Sequence, residues 1–429
     1  MARNTDLNLR GEVIYSIYVR NHSEEGTFKA VEKDLERIKN LGTDIIWFMP
    51  IHPIGVKNKK GDLGCPYAIK NYREVNPEYG TLEDFKNCVD KIHALGMKCI
   101  IDVVYNHTSP DSWLVENHPE YFYKKSDGNF GNKVGDWWDV VDLDYNNKDL
   151  WTYQIDTLKM WAEIVDGFRC DVASLVPVDF WIKAREEVAK VRPNAIWLAE
   201  TIHTNFLIDL RRHGVSGNSD CEVYQAFDIC YDYDVQPYFM GYLKGTNNLS
   251  YYVDRLVFQE GIYPENYIKL RFLENHDNPR AKELIENEEQ LINWTAFQYF
   301  QKGTTLVYAG QETENTKCPS LFDKDLVNWN TGKDITKLMQ KLYKIKKNNI
   351  FIDGAYSLFA DADNQTIIGY YEKNGEKVVG VFNLKGIEGE IKVNLKDGEY
   401  INEIDNEKVI VKNGKIKMNK KPIILFTRE

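Results

Sequence analysis

Eight short apolar runs recur through the first three-quarters of the chain, and stretches with helical spacing lie between them. Strands buried on both faces read as near-continuous apolar segments, without the alternation of a half-exposed sheet. The runs are 13–19, 44–50, 98–104, 168–172, 196–199, a stretch within 223–229, 268–273 and 304–309. The intervening helices carry their own marks. Phe28, Val31, Leu35, Ile38 and Leu41 share one helical face, which Gly42 closes. Thr81 and Asp84 have the spacing of a capping box ahead of Phe85, Val89 and Ile92. Further helices are expected over 150–164 and after Pro177. Strand and helix alternating in this way predict a parallel sheet closed on itself, a (β/α)8 TIM barrel.

Two stretches break the rhythm. Residues 106–142 are rich in Asn, Gly, Asp and aromatics and too long for an ordinary connection, so they are expected to form a small inserted domain after strand three. The barrel then occupies 1–105 and 143–348. From 349 to 429 the pattern becomes short β-type runs with Asn-Gly and Asp-Gly turns, which predicts a C-terminal antiparallel β-sandwich.

The net charge of −11 argues against a nucleic-acid partner, because binding phosphates needs clustered Lys and Arg. The basic clusters 57–60 and 344–347 are short and read as solvated loops or helix faces. No apolar run is long enough for a membrane span, and the first residues lack the apolar core of a signal peptide. Seven cysteines, none in a Cys-x-x-Cys pair, read as reduced thiols. These features point to the cytoplasm.

Three acidic residues each follow an apolar run: Asp171 in Gly167-Phe-Arg-Cys-Asp171, Glu200 after Ala195-Ile-Trp-Leu-Ala, and Asp277 in Phe272-Leu-Glu-Asn-His-Asp277. A parallel barrel keeps its chemistry at the carboxyl ends of its strands. Three carboxyl groups at one mouth suit glycosidic-bond cleavage, with a nucleophile, an acid/base and a group that grips the sugar. Arg169 lies two residues before Asp171, on the same strand face, where a guanidinium holds a carboxylate ionised. Glu200, beside other carboxylates in a partly dry site, suits a general acid. His276 next to Asp277, and Asp102 with His107, form further polar sets at strand ends. Each has an ordinary explanation when taken alone: an ion pair plugging the barrel, a helix-opening Glu, surface decoration. Tyr67 is the aromatic taken as a sugar platform, although buried aromatics are usually core.

Together and in this order, the phrases resemble the α-amylase superfamily of glycoside hydrolases. The motifs are Asp102-Val-Val-Tyr-Asn-His107, Gly167-Phe-Arg-Cys-Asp171, Glu200 and Phe272-Leu-Glu-Asn-His-Asp277. Tyr67-Ala-Ile-Lys-Asn-Tyr72 and Tyr308-Ala-Gly-Gln-Glu312 support them. The resemblance implies Asp171 as nucleophile, Glu200 as acid/base and Asp277 as transition-state stabiliser. It implies that Arg169, His107 and His276 contact the sugar or the nucleophile, that Tyr67 stacks beneath the sugar, that Asp102 buttresses the site, and that Arg280 binds on the glycone side. The expected function is a retaining α-glucan hydrolase cleaving α-1,4 bonds in maltooligosaccharides, starch or glycogen, with no organic cofactor. Alternatives are a cyclomaltodextrinase- or neopullulanase-like enzyme, an α-glucanotransferase, and a non-catalytic sugar-binding protein.

The chain departs from the family pattern in places. Ser174-Leu175 stands where many members carry Lys-His on the leaving-group side, and Asn71 stands where Asp is frequent. Asn106 matches a calcium-ligand position of the family, while the Ser-Leu change argues against that ion, so calcium is left open. The loss of a cation at Ser174-Leu175 also suggests a preference for short oligosaccharides over starch, with Trp137-Trp138 closing one side of a pocket.

Overall fold

The computed structural model describes residue 2, residues 4–135 and residues 137–428. Eight strands, β1 (Val13–Ile17), β2 (Ile45–Phe48), β3 (Lys98–Val103), β4 (Gly167–Cys170), β5 (Ile196–Ala199), β6 (Ile229–Tyr231), β7 (Ile268–Arg271) and β8 (Thr304–Tyr308), close into one barrel in chain order. Every neighbouring pair is parallel, with β8 returning onto β1. Apart from Lys98 at the start of β3, all strand residues are buried, so most are apolar, while the buried Lys269 and Arg271 of β7 are ion-paired to Asp220, Asp234 and Asp232. Gly167 opens β4 for a steric reason. A Cβ there would lie 2.2 Å from the Ile196 carbonyl oxygen, so a larger residue would push β4 and β5 apart.

The expected helix over Phe28–Gly42 is present, with the Thr27 hydroxyl accepting the Ala30 N–H. The Thr81–Asp84 capping box is made in both directions. The sixth strand corrects the sequence reading. It spans Ile229–Tyr231, whereas Asp220–Val223 is a helical turn fixed by a Ser219–Glu222 capping box. Val223 and Phe227 are buried in the same core as the strand, so the apolar run extends beyond the strand itself.

Between β3 and β4 the chain leaves the barrel. His107–Thr108 pairs antiparallel with Val141–Asp142, and this two-stranded clasp ties off the intervening segment above the carboxyl ends of the strands. A short helix, Trp113–Asn117, and bridges from Phe122 to Leu143 and from Lys124 to Phe130 organise the segment.

The C-terminal module has two four-stranded antiparallel sheets. One contains β9 (Ala355–Asp361), β10 (Thr366–Lys373), β11 (Glu376–Asn383) and β16 (Ile423–Arg428). The other contains β12 (Gly389–Lys392), β13 (Gly398–Ile401), β14 (Lys408–Lys412) and β15 (Lys415–Met418). Ile368, Val379 and Leu425 of the first sheet meet Ile391, Val411 and Ile416 of the second in a separate core, as in a sandwich. The other face of the first sheet packs on the barrel through Phe300, whose ring meets Phe351, Tyr371 and Phe382. Gly369 and Gly380 are paired across β10 and β11, and a Cβ on either would come within 2.8 Å of that ring. Two facing glycines thus make the recess that seats Phe300.

Candidate active site

The mouth of the barrel gathers most of the residues singled out by sequence. Asp102 on β3 and Arg169 on β4 are register partners, so their side chains meet across the inside of the barrel. Asp171 and Glu200 follow directly on the ends of β4 and β5, and Asp277 lies in the loop after β7. Arg169 is fully buried and holds the group together. Its Nη1 donates to Asp102 Oδ1 at 2.9 Å and to Asp171 Oδ1 at 2.8 Å. Its Nη2 lies 2.9 Å from Glu200 Oε2, and its Nε donates to the Tyr231 hydroxyl at 3.2 Å. The Nη2 contact is an ion pair without hydrogen-bond alignment. Rings of Trp47, Tyr67 and Tyr231 surround the guanidinium with centroids 5.2, 5.7 and 5.3 Å away, an aromatic box that suits a desolvated cation.

Backbone strain sits at the same point. Val172, a β-branched residue, adopts φ 35° and ψ 45°, a left-handed conformation such residues avoid. Its N–H donates to Glu200 Oε2 at 2.8 Å. The turn that costs this strain places Asp171 and Glu200 on one guanidinium, and such strain persists only where its surroundings enforce it.

Burial governs the protonation of these acids. It pushes Asp171 up to about 6 and Glu200 up to about 8, in each case against the pull of Arg169. Asp102 is likewise raised to about 6 by burial. Glu200 rises furthest; Asp171 and Asp277 add to its shift, while Asp171 also takes a direct hydrogen bond from Arg169. Around neutral pH the pair therefore favours an ionised Asp171 beside a protonated Glu200.

His276 connects this group to Asp277. Its Nε2 lies 2.8 Å from the Tyr67 hydroxyl and 3.1 Å from Asp277 Oδ2. The Tyr67 hydroxyl donates to Asp102 Oδ2 at 3.1 Å, so it accepts from His276, which assigns the proton to Nε2. Burial lowers the His276 pKa to about 4, so the ring is neutral. Tyr67 stacks on His276 at 5.5 Å with planes 10° apart. The Asp277 side chain is 44% exposed, against 10% for Asp171 and Glu200, and faces the opening. His107 is buried, which lowers its pKa, and presents its ring to the edge of Trp137 at 5.6 Å. The resulting pocket, about 240 Å³, is lined by Tyr67, His107, Asp171, Glu200, His276 and Asp277 and continues to Lys60, Trp137 and Asp139.

Arg280 is not brought to this pocket. Its guanidinium is buried, donates to Glu274 Oε1 at 2.6 Å and to the Ala309 carbonyl at 2.9 Å, and lies over the Tyr308 ring. Its nitrogens join the loop after β7 to the end of β8, and its side chain does not line the pocket. Asn106 is buried beside His107, with its Nδ2 3.1 Å from the ring Nδ1. Its surroundings do not fit calcium, which takes six to eight oxygen ligands. The nearby Asp142 carboxylate already accepts from Asn132 Nδ2 and the Lys133 N–H. The Lys133 ammonium donates to the Leu143 carbonyl, and Leu143 N–H bonds the Asn106 carbonyl, so a cation of the chain itself occupies that region. Among the described residues no three His, Cys, Asp or Glu side chains converge as metal ligands would.

Sequence reasoning missed Trp47, Tyr231, Lys60 and Asp139. Trp47 stands inside an apolar run that looks like plain core. Tyr231 ends the strand whose place was misread. Lys60 belongs to a basic cluster read as solvated, yet it is only 28% exposed and ion-paired to buried Asp139 at 2.8 Å.

Comparison with known proteins agrees with this architecture. The family model for the α-amylase catalytic domain matches residues 14–138 and 135–350, and that for the bacterial α-amylase C-terminal domain matches 358–425. The solved α-amylase from Lactobacillus plantarum is 47% identical, with a TM-score of 0.96 over 98% of this chain and 100% of its own. A maltogenic α-amylase from Thermotoga neapolitana is 36% identical, with a TM-score of 0.87 over 98% of this chain and 100% of its own. An α-1,4-glucan:maltose-1-phosphate maltosyltransferase from Picrophilus torridus is 24% identical over 408 residues, which is 87% of this chain but 61% of that relative's length. The chain belongs to the α-amylase family of glycosidase-type enzymes.

Proposed function

We propose that the protein is a retaining hydrolase of α-1,4-glucosidic bonds that works by double displacement. One observation carries the reading: Asp171 and Glu200 contact the two terminal nitrogens of one buried guanidinium, and burial raises Glu200 further than Asp171. Two carboxyl groups gathered on one guanidinium favour a covalent route, because an inverting site sets its pair wider apart to seat a water. Asp171 attacks the anomeric carbon, and the bond to the departing oxygen breaks as Glu200 gives that oxygen its proton. A glycosyl ester on Asp171 results. Water then gives a proton to the Glu200 carboxylate and its oxygen to the anomeric carbon, which frees Asp171. Asp277, at the opening, holds sugar hydroxyls with His276 and His107, and Tyr67 presents its ring to the pocket.

Glu200→Gln tests the assignment of the acid. It should lose most activity on maltooligosaccharides yet keep far more on α-glucosyl fluoride, whose leaving group needs no proton. Equal losses on the two substrates would remove Glu200 from that role.

Maltooligosaccharides are the proposed substrates, supported by the small pocket and the exposed Asp277 at its mouth. A transferase is the second reading. Leu175, Val134, Phe206 and Val215 pack with Ile202, Leu207 and Leu210 beyond β4 and β5, and a dry leaving-group side would favour a sugar acceptor over water. A relative named as a maltosyltransferase is in line with this. Chromatography of products from maltotriose decides: shorter sugars alone mark hydrolysis, longer ones transfer. A cytoplasmic address is proposed from the seven cysteines, all free as thiols. Among the described residues no helix is long and apolar enough to cross a membrane.

A further inference from the structure

We infer that Lys60, fixed by Asp139, is a specificity-determining residue that holds a second sugar unit beside the one being cleaved. The inference rests on the α-glucan reading above. Three segments converge over the pocket: the loop after β2, residues 137–140 of the inserted segment, and the loop around Phe322 after β8. Leu63 N–H donates to the Phe322 carbonyl and Asp62 N–H to Asp323 Oδ1. Gly61 makes the tight approach with φ +59°, where a Cβ would meet the Phe322 Cβ at 2.6 Å. Lys60 then reaches across to the inserted segment. Its ammonium is 2.8 Å from Asp139 Oδ1 and 5.6 and 5.8 Å from the ring centroids of Trp138 and Phe322.

Lys60 is the only lysine or arginine among the described residues lining this pocket, which it shares with the carboxylates of Asp139, Asp171, Glu200 and Asp277. A phosphorylated sugar would meet those carboxylates with one ammonium in return, so the group recognised is neutral and rich in hydroxyls. An ammonium has three donors, of which Asp139 takes one and the aromatic faces take no directed bond. The remaining donors are available to sugar hydroxyls. Trp138, 57% exposed beside them, offers a ring face to the sugar's C–H surface.

The test compares kcat and KM for wild type, Lys60→Met, Lys60→Arg and Asp139→Asn on maltotriose and on α-glucosyl fluoride. The fluoride fills only the position of the cleaved unit. Loss of a charged hydrogen-bond donor should cost maltotriose on the order of tenfold more in kcat/KM than the fluoride, chiefly through KM. Lys60→Arg should recover most of the difference, and Asp139→Asn, which loosens the ammonium, should raise KM for maltotriose alone. Equal losses on both substrates, or none, would overturn the inference and leave Lys60 a strap between loops. Wild-type protein inactive on both would overturn the hydrolase reading and the inference with it.

Discussion

Asp171→Asn should reduce turnover of maltooligosaccharides by about 10⁴- to 10⁶-fold, the loss expected when one member of a catalytic unit is removed. The amide keeps the shape and the Arg169 contact through its oxygen, but it cannot form the glycosyl ester. Stability should move the other way or not at all. Burial and the neighbouring Asp102 and Asp277 disfavour the Asp171 charge, and only Arg169 compensates. A neutral side chain relieves that conflict, so the unfolding midpoint should stay within about 2 °C of wild type or rise. Kinetics with single-turnover detection and calorimetry check both halves. More than a few per cent of wild-type turnover would remove Asp171 from the nucleophile's role.

Arg169 carries the second large effect. Arg169→Met leaves Asp102, Asp171 and Glu200 buried around an apolar stem, and breaking a buried ion pair from one side costs about 3–5 kcal/mol. Arg169→Lys is the informative partner, because it keeps a cation but loses the planar fork that reaches three acids. It should fold and still lose about 10²-fold or more in kcat, since misplacing the reacting groups by about 1 Å has that cost.

Its pH profile adds a sign. The active form needs Asp171 ionised and Glu200 protonated, so wild-type kcat/KM should rise as pH passes about 6 and fall past about 8. Arg169 lowers both values in the native site. Weakening its contact should therefore move the acid limb to higher pH. A lysine variant with an unmoved acid limb and near-normal kcat would show that the guanidinium is only a plug in the barrel.

Seven of the eight strands were legible because each is buried on both faces and so is mostly apolar, and the carboxylates stood out because they follow those runs. The sixth strand was displaced because the Asp220–Val223 turn and the strand bury apolar residues in one core, so composition has no edge at their boundary. Arg280 lies outside the pocket lining for a different reason. A phrase such as His-Asp-Asn-Pro-Arg fixes the order of residues but not the side of the loop from which the guanidinium leaves, and Glu274 with the Ala309 carbonyl draws it inward. Lys60 was hidden because its meaning depends on Asp139, which the inserted segment brings from far along the chain. Trp47 illustrates the same limit within a strand: apolar spacing reports burial but does not reveal that the ring lies against a buried guanidinium.

Double displacement at Asp171 has one direct stereochemical consequence. Two inversions at the anomeric carbon return the α configuration in the first product formed. Proton NMR during the first moments of maltotriose cleavage, before mutarotation, should show the α-anomeric doublet growing ahead of the β. A β-anomer appearing first would mean a single displacement by water and would contradict the account.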